Sequence, residues 1–321
     1  MTSVTSEPAA PTPTGPAETD FEMGFESRSQ LREAVRRFVH KPSAMVALVV
    51  FVGIILFCYI YPPFYRWNWA SIDTRRNAAG HYIYLSSEPG VGGHPLGTDG
   101  SGFDLLARMM RGTQRDFIIV LIVTSMSVTL GVIFGAIAGY FGNIVDNVVM
   151  RFVDIMLSIP ALVILIVVAN TFRSLSGSAA GLAFILGIFG WTGLARLVRA
   201  NFLQLKEREF VEAAHSMGAS TWRIIGRHLI PNSLGTILVF GTLTAAVSII
   251  AETSLTYLGY GVWPPDTSLG QLVSAGVQAE ATRWWLFYPP GLLILIIVLS
   301  VNMIGDGIRN AFDPKHNRVR D

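Results

Sequence analysis

Long apolar runs constrain this chain more than any other feature. A helix crossing the hydrocarbon core of a bilayer needs roughly 20 mostly apolar residues. Such runs recur at 44–61, 117–140, 148–170, 179–198, 235–258 and 285–305. Hydrophobic residues make up 51% of the chain and charged ones only 14%, against about 25% charge in soluble domains. The expected fold is an all-α polytopic membrane protein with six transmembrane helices. The third run opens on two charges one turn apart, Arg151 and Asp154. They are expected at the cytoplasmic interface, paired with each other or with a neighbouring helix.

Loop charges give the bundle a direction, because cytoplasmic loops carry an excess of Lys and Arg. With the N-terminus in the cytoplasm, the inner segments hold 16 such residues and the outer ones 8. Six of those 8 lie in the long first outer segment, which weighs little; the short outer loops carry only Arg173 and Arg283. Both termini are then cytoplasmic. Residues 1–28, rich in Pro, Thr, Ser and Glu, are expected to be a disordered tail. They do not form a signal peptide, since no short basic region leads directly into an apolar core. Residues 29–84 then carry the first span, 85–116 an extracytoplasmic amphipathic segment, 117–306 a core of five spans, and 307–321 a cytoplasmic tail. A net charge of +2 gives no electrostatic footprint for nucleic acid. The single cysteine, Cys58, excludes an internal disulfide framework and a cysteine metal cluster.

Between the fourth and fifth runs lies a polar insert, EREFVEAAHSMGASTWRIIGRHLIPN, from Glu207 to Asn232. It reads as two short amphipathic helices. Phe210, Ala213, Ala214 and Met217 share one face of the first, and Trp222, Ile225 and Leu229 one face of the second. Gly218 supplies the positive φ a helix C-terminus needs, Ser220 can cap the second helix, and Pro231 is expected to stop it. A rigid knob with an apolar face on a membrane protein suits docking into a partner; it equally suits lying on the membrane surface. The glycines at 131, 135 and 139 line one face of the second run, a pattern that lets helix backbones approach closely. Gly187, Gly190 and Gly193 do likewise in the fourth.

The chain lacks the motifs of a catalyst. No phosphate loop is possible, because none of Lys41, Lys206 and Lys315 follows a glycine. No His-Glu-x-x-His helix or Gly-x-Ser-x-Gly turn occurs. The chain is expected to move something rather than convert it, and to bind neither cofactor nor metal. Glu252 is an acidic residue inside an apolar run, where an ionised group costs several kcal/mol unless paired or wetted. It reads as a pathway or gating residue, or as a helix-packing hydrogen bond. From His94, the sequence HPLGTDGSGFDLLARMM suggests a short amphipathic helix on the outer membrane surface. Asp99 and Asp104 there are read as turn and cap residues around Gly102, with direct substrate contact as the alternative.

Several motifs together resemble one family. Glu212-Ala213-Ala214, then Gly218, then Ile230-Pro231-Asn232 resemble the Glu-Ala-Ala loop of ABC-transporter permeases. Leu96, Gly97, Thr98, Asp99, Gly102 and Asp104 match a stretch of the dipeptide and oligopeptide permeases, with Phe103 where that family usually has Arg. AETSLTYLGYGVWPP, from Ala251, and NMIGDGIRNAFDP, from Asn302, resemble two further stretches, with Thr256-Tyr257 replacing the commoner Ser-Phe. The likeness runs from about residue 30 to 314 and points to the second permease of a pair. It implies the fold of an ABC importer permease in a bacterial cytoplasmic membrane, carrying dipeptides or oligopeptides. A homologous permease, two cytoplasmic ATPases that use ATP and Mg, and an extracytoplasmic solute-binding protein would be its partners. It assigns coupling to Glu212, Ala213, Ala214 and Gly218, on a hairpin that also presents Trp222, Ile225 and Pro231. A nickel chelate, glutathione or another small solute is the alternative cargo. An ion-coupled carrier is the remote alternative, since such carriers show repeats, broken helices and mid-depth charges.

Overall fold

The computed structural model describes residues 30–76, 80–82 and 84–312; the expected disordered tail lies outside them. The helices run α1 (Gln30–Val39), α2 (Pro42–Ile60), α3 (Leu105–Phe141), α4 (Asn143–Ser158), α5 (Ala161–Thr171), α6 (Arg173–Ser176), α7 (Ala179–Gly190), α8 (Thr192–Lys206), α9 (Glu209–Ser216), α10 (Thr221–Ile224), α11 (Ile230–Tyr257), α12 (Leu269–Val277) and α13 (Tyr288–Phe312). Five helical stretches are long and apolar enough to cross a membrane: 42–60, 105–141, 179–206, 221–257 and 284–312. A sixth consists of α4 and α5, bent by 85°.

The centre of the bundle is α3. Its glycine stripe meets α8 so closely that side chains are excluded. A Cβ on Gly135 would lie 2.5 Å from the Ala195 carbonyl oxygen, and one on Gly139 would lie 2.7 Å from the Phe202 Cβ. Small residues at this spacing let van der Waals packing replace the hydrophobic drive that a bilayer does not supply. At the other end, Leu105 and Met109 of α3 join Ala246 and Ile249 of α11, Leu269 and Leu272 of α12, and Ile297 and Val301 of α13 in one buried cluster. The first span, α2, is tied to α3 by Gln114, whose Nε2 donates to the Cys58 carbonyl at 2.7 Å. α1 and α2 also reach α13 at Gly307, where a Cβ would lie 2.5 Å from that of Ala44 and 2.7 Å from the Phe38 ring.

Four expectations are corrected. Among the described residues there is no separate outer amphipathic helix: Leu106, Met109 and Met110 belong to the first turns of the 37-residue α3, and both methionines are buried. The third span is broken at Ile159-Pro160, both extended, because proline has no N–H to donate and holds its predecessor out of the helical region. Pro231 does not stop the helix. A π-helical turn, Ile225–Leu229, precedes it and leads without interruption into α11. Such a widened turn accommodates a residue that cannot donate an i→i−4 bond. Finally, α13 continues to Phe312, so residues 307–312 are helix rather than tail. Asp154 pairs across helices, accepting from Arg196 of α8 at 2.7 Å, while Asp146 pairs with Arg199.

Candidate functional site

The polar insert folds as a helical hairpin anchored to the bundle. Val211 and Ala214 from α9, Ile224 from α10 and Ile225 and Leu229 from the π turn are buried in one cluster with Phe202 of α8. Outside the hydrocarbon core, burying a Leu, Ile or Phe side chain contributes roughly 1.5–3 kcal/mol, so the hairpin is held by its own small core. Gly218 sits at φ +79°. Its N–H donates to the His215 carbonyl at 2.9 Å, and that of Ala219 to the Ala214 carbonyl at 3.0 Å. This paired closure requires a left-handed residue just past the helix end, and glycine adopts it without a Cβ penalty. Ser220 occupies the N-cap position of α10, but its side chain makes no capping bond.

The two alanines do different jobs. Ala214 is 3% exposed and faces the hairpin core, whereas Glu212, Ala213 and Gly218 are exposed. Met217 is 81% and Trp222 66% exposed, and Pro231 is exposed at the start of α11. The outer surface of the knob is therefore Glu212, Ala213, Met217, Gly218 and Trp222. The expected faces divide accordingly. Ala214 turns inward from Phe210, Ala213 and Met217, and Ile225 turns inward from Trp222. Phe210 is partly covered by the His228 ring, 6.5 Å away, and Trp222 meets Phe141 edge-on at 6.2 Å.

Glu252 is 1% exposed. Its Oε1 accepts from the Thr256 hydroxyl one turn on, at 2.8 Å. Its Oε2 lies against α12, 2.9 Å from where a Cβ on Gly270 would stand. Asp116 of α3 arrives at the same place: its Oδ2 accepts from the Leu269 N–H at 3.2 Å, and its Oδ1 is buried with no hydrogen-bond partner. Two carboxyl groups from different spans thus converge on the first residues of α12, where free N–H groups and the helix dipole favour negative charge. Glu252 is not alone, and its partner was missed in the sequence because Asp116 borders the second run among Arg111, Arg115 and other polar residues. Those two arginines pair instead with Asp266.

The segment between α2 and α3 is organised by acidic side chains. Asp104 caps α3, its Oδ1 accepting from the Ala107 N–H at 2.7 Å. Asp99 Oδ1 accepts from the Ser101 and Phe103 N–H groups at 2.9 and 3.0 Å, and its Oδ2 from Arg108 Nη1 at 2.7 Å. Gly102, at φ +87°, closes the turn between them. Buried His94 links the segment to α3: Nδ1 is 2.8 Å from Asp104 Oδ2 and Nε2 3.1 Å from Asp73 Oδ2, and the Trp67 ring stacks on it at 4.1 Å. Arg75, bonded to Asp73, holds that carboxyl far below the usual carboxylate range, with a further contribution from His94. Burial and the charge of Asp104 push the Tyr65 hydroxyl well above its ordinary value. Nothing in the sequence spacing of Asp73, His94 and Asp104 signals this cluster.

Spans packed through small residues, one of them broken, with a helical knob between two of them, define an integral membrane permease. Residues 131–318 match the model of the binding-protein-dependent transport system inner membrane component, and residues 29–81 that of the N-terminal TM domain of oligopeptide transport permease C. The chain belongs to this family of ABC importer permeases. It is 38% identical over 297 residues to the oligopeptide transport system permease protein OppC of Haemophilus influenzae, covering 92% of this chain and 91% of that one. Proteins of the same name from Mycobacterium tuberculosis H37Rv and Bacillus subtilis are 34% identical. The former covers 92% of this chain and 98% of its own length, the latter 96% of each. A chain of the inward-facing MetNI methionine ABC transporter shares the fold, with a TM-score of 0.53 at 21% identity over 65% of this chain and 98% of that one.

Proposed function

We propose that this chain is one of two permease subunits of an ATP-driven importer of dipeptides or oligopeptides. The peptide cargo follows from the relatives named above. The single observation that carries coupling is the hairpin. Its core is filled from within, yet Met217, Trp222, Ala213 and Glu212 face outward together. An apolar side chain as exposed as Met217 on an otherwise anchored knob suits insertion into a groove of a partner. The excess of Lys and Arg on this side of the bundle supports a cytoplasmic position for the knob, where ATP is. Two cytoplasmic ATPases would hold it, and a homologous permease would complete the passage. An extracytoplasmic binding protein would deliver peptide on the face of the His94 cluster.

Closure of the ATPases on ATP would tilt the hairpin and with it α11, shifting the spans between inward and outward access. This is a two-state element biased by a ligand. Glu252 and Asp116, where α11, α3 and α12 meet, lie where such a shift would be felt. The membrane would be the cytoplasmic membrane, with both termini inside. The test is co-purification of the chain from membranes, followed by an ATPase assay with a peptide panel. Two ATPases and peptide-stimulated hydrolysis are expected. A protein that comes alone and works on an ion gradient refutes the reading.

A further inference from the structure

We propose that the cavity at the Pro160 break is a subsite for an extended peptide in transit, taking the peptide main chain and one uncharged side chain. This rests on the peptide-importer reading. The cavity measures about 510 Å³, within the usual range of small-molecule sites. It lies between the α4–α5 break, the α7–α8 junction and the middle of α11. Ile159, Leu186, Phe189, Phe240 and Val247 are among its walls, and no charged residue lines it.

The broken span argues for a peptide. A helix end leaves its last carbonyls and first N–H groups without intrahelical partners. At membrane depth such backbone is tolerated only inside protein or against a wet cavity. The first backbone bonds into α5 are donated by Val163 and Ile164 to the Pro160 carbonyl, so the amide of Ala161, a residue of the cavity wall, precedes them. Across the cavity, the hydroxyls of Thr244 and Ser248 donate to their own helix, to the carbonyls of Phe240 at 2.9 Å and Ala245 at 2.8 Å. Their lone pairs remain as acceptors. Ala161 at the start of α5 and the hydroxyl-bearing Thr244 and Ser248 line one apolar cavity, a combination that matches what an extended peptide offers, N–H and C=O at every residue and a side chain between. An acyl chain would satisfy none of these groups. The absence of charge in the wall favours neutral side chains over ionised ones.

The test uses the full transporter in vesicles with trialanine, trileucine and triaspartate as cargo. Leu243→Trp and Val247→Trp each fill the cavity from exposed positions on α11. The ratio of trileucine to trialanine uptake should fall about tenfold or more, since even one methylene in an apolar pocket is worth about tenfold. Triaspartate should be the poorest cargo of the wild-type protein. An unchanged ratio in both variants overturns the subsite. A photo-crosslinking residue placed at 243 should form an adduct with trileucine; adducts only with lipid or with the second permease overturn it as well. A wild-type transporter that carries none of the three peptides refutes the importer reading instead, and the subsite falls with it.

Discussion

Neighbouring alanines in the hairpin should respond in opposite ways to the same substitution. Ala214 is 3% exposed and packed with Val211, Ile224, Leu229 and Phe202. An indole there has no room, and overpacking of a filled core costs about 1–3 kcal/mol or more. Ala214→Trp should therefore loosen the hairpin, lowering both the thermal stability of the chain and its yield in complex. Ala213 is exposed, so Ala213→Trp should change the stability of the isolated chain by less than about 0.5 kcal/mol. The same indole would stand on the docking surface beside Glu212 and Met217. Loss of a well-packed interface anchor costs about 2 kcal/mol or more, which is more than a tenfold loss of ATPase affinity. The assays are melting of the purified chain in detergent and ATPase binding with transport in vesicles. A stable Ala213→Trp protein that still couples hydrolysis to uptake refutes the assignment of this surface to coupling.

Other substitutions separate structure from transport. Glu252→Gln keeps an oxygen for the Thr256 hydroxyl but removes one acid from the Asp116 pair. Assembly should survive while uptake rate changes, and normal uptake would make Glu252 structural. Asp104→Ala removes the α3 cap, worth about 1 kcal/mol, and leaves His94 Nδ1 buried without its carboxylate, a further 1–3 kcal/mol or so. Faster proteolysis between residues 61 and 104 is the expected readout. Asp73 has a depressed pKa, so its stabilisation is full above the ordinary carboxylate value near pH 4 and is lost as pH falls from there through the depressed one. The difference in melting temperature between wild type and Asp73→Asn should be constant near neutrality and shrink only below about pH 4.

Much of this architecture is written in local pattern. The apolar runs locate the spans, the glycines at 131, 135 and 139 mark the face of α3 that a neighbouring helix meets closely, and Gly218 marks the hairpin turn. Each depends on spacing within one element, so a single sequence suffices to show it. The misread features depend on something else. Apolar residues continue on both sides of Pro160, so hydropathy does not register the 85° bend. Leu106, Met109 and Met110 have the periodicity of a surface helix. The two methionines are buried instead, Met109 in the cluster that α11, α12 and α13 complete, and the neighbouring Arg108 and Arg111 are neutralised by Asp99 and Asp266. In the second helix of the hairpin, the buried stripe runs through Ile224, Ile225 and Leu229, leaving Trp222 at its margin. The Asp116–Glu252 and Asp73–His94–Asp104 groups are assembled by packing alone, so no local pattern announces them.

The unbroken run from Thr221 to Tyr257 has a mechanical corollary. At 37 residues it is a rod about 55 Å long, with the knob on one tip and the acidic pair near the other. Rotating such a rod by about five degrees about one tip carries the opposite tip through about 5 Å, close to one helical turn. A pivot of that size needs no refolding anywhere along its length. Just before Pro231 the backbone widens into a π turn, and a substitution that returned this turn to regular α geometry should alter how much of the stroke is delivered.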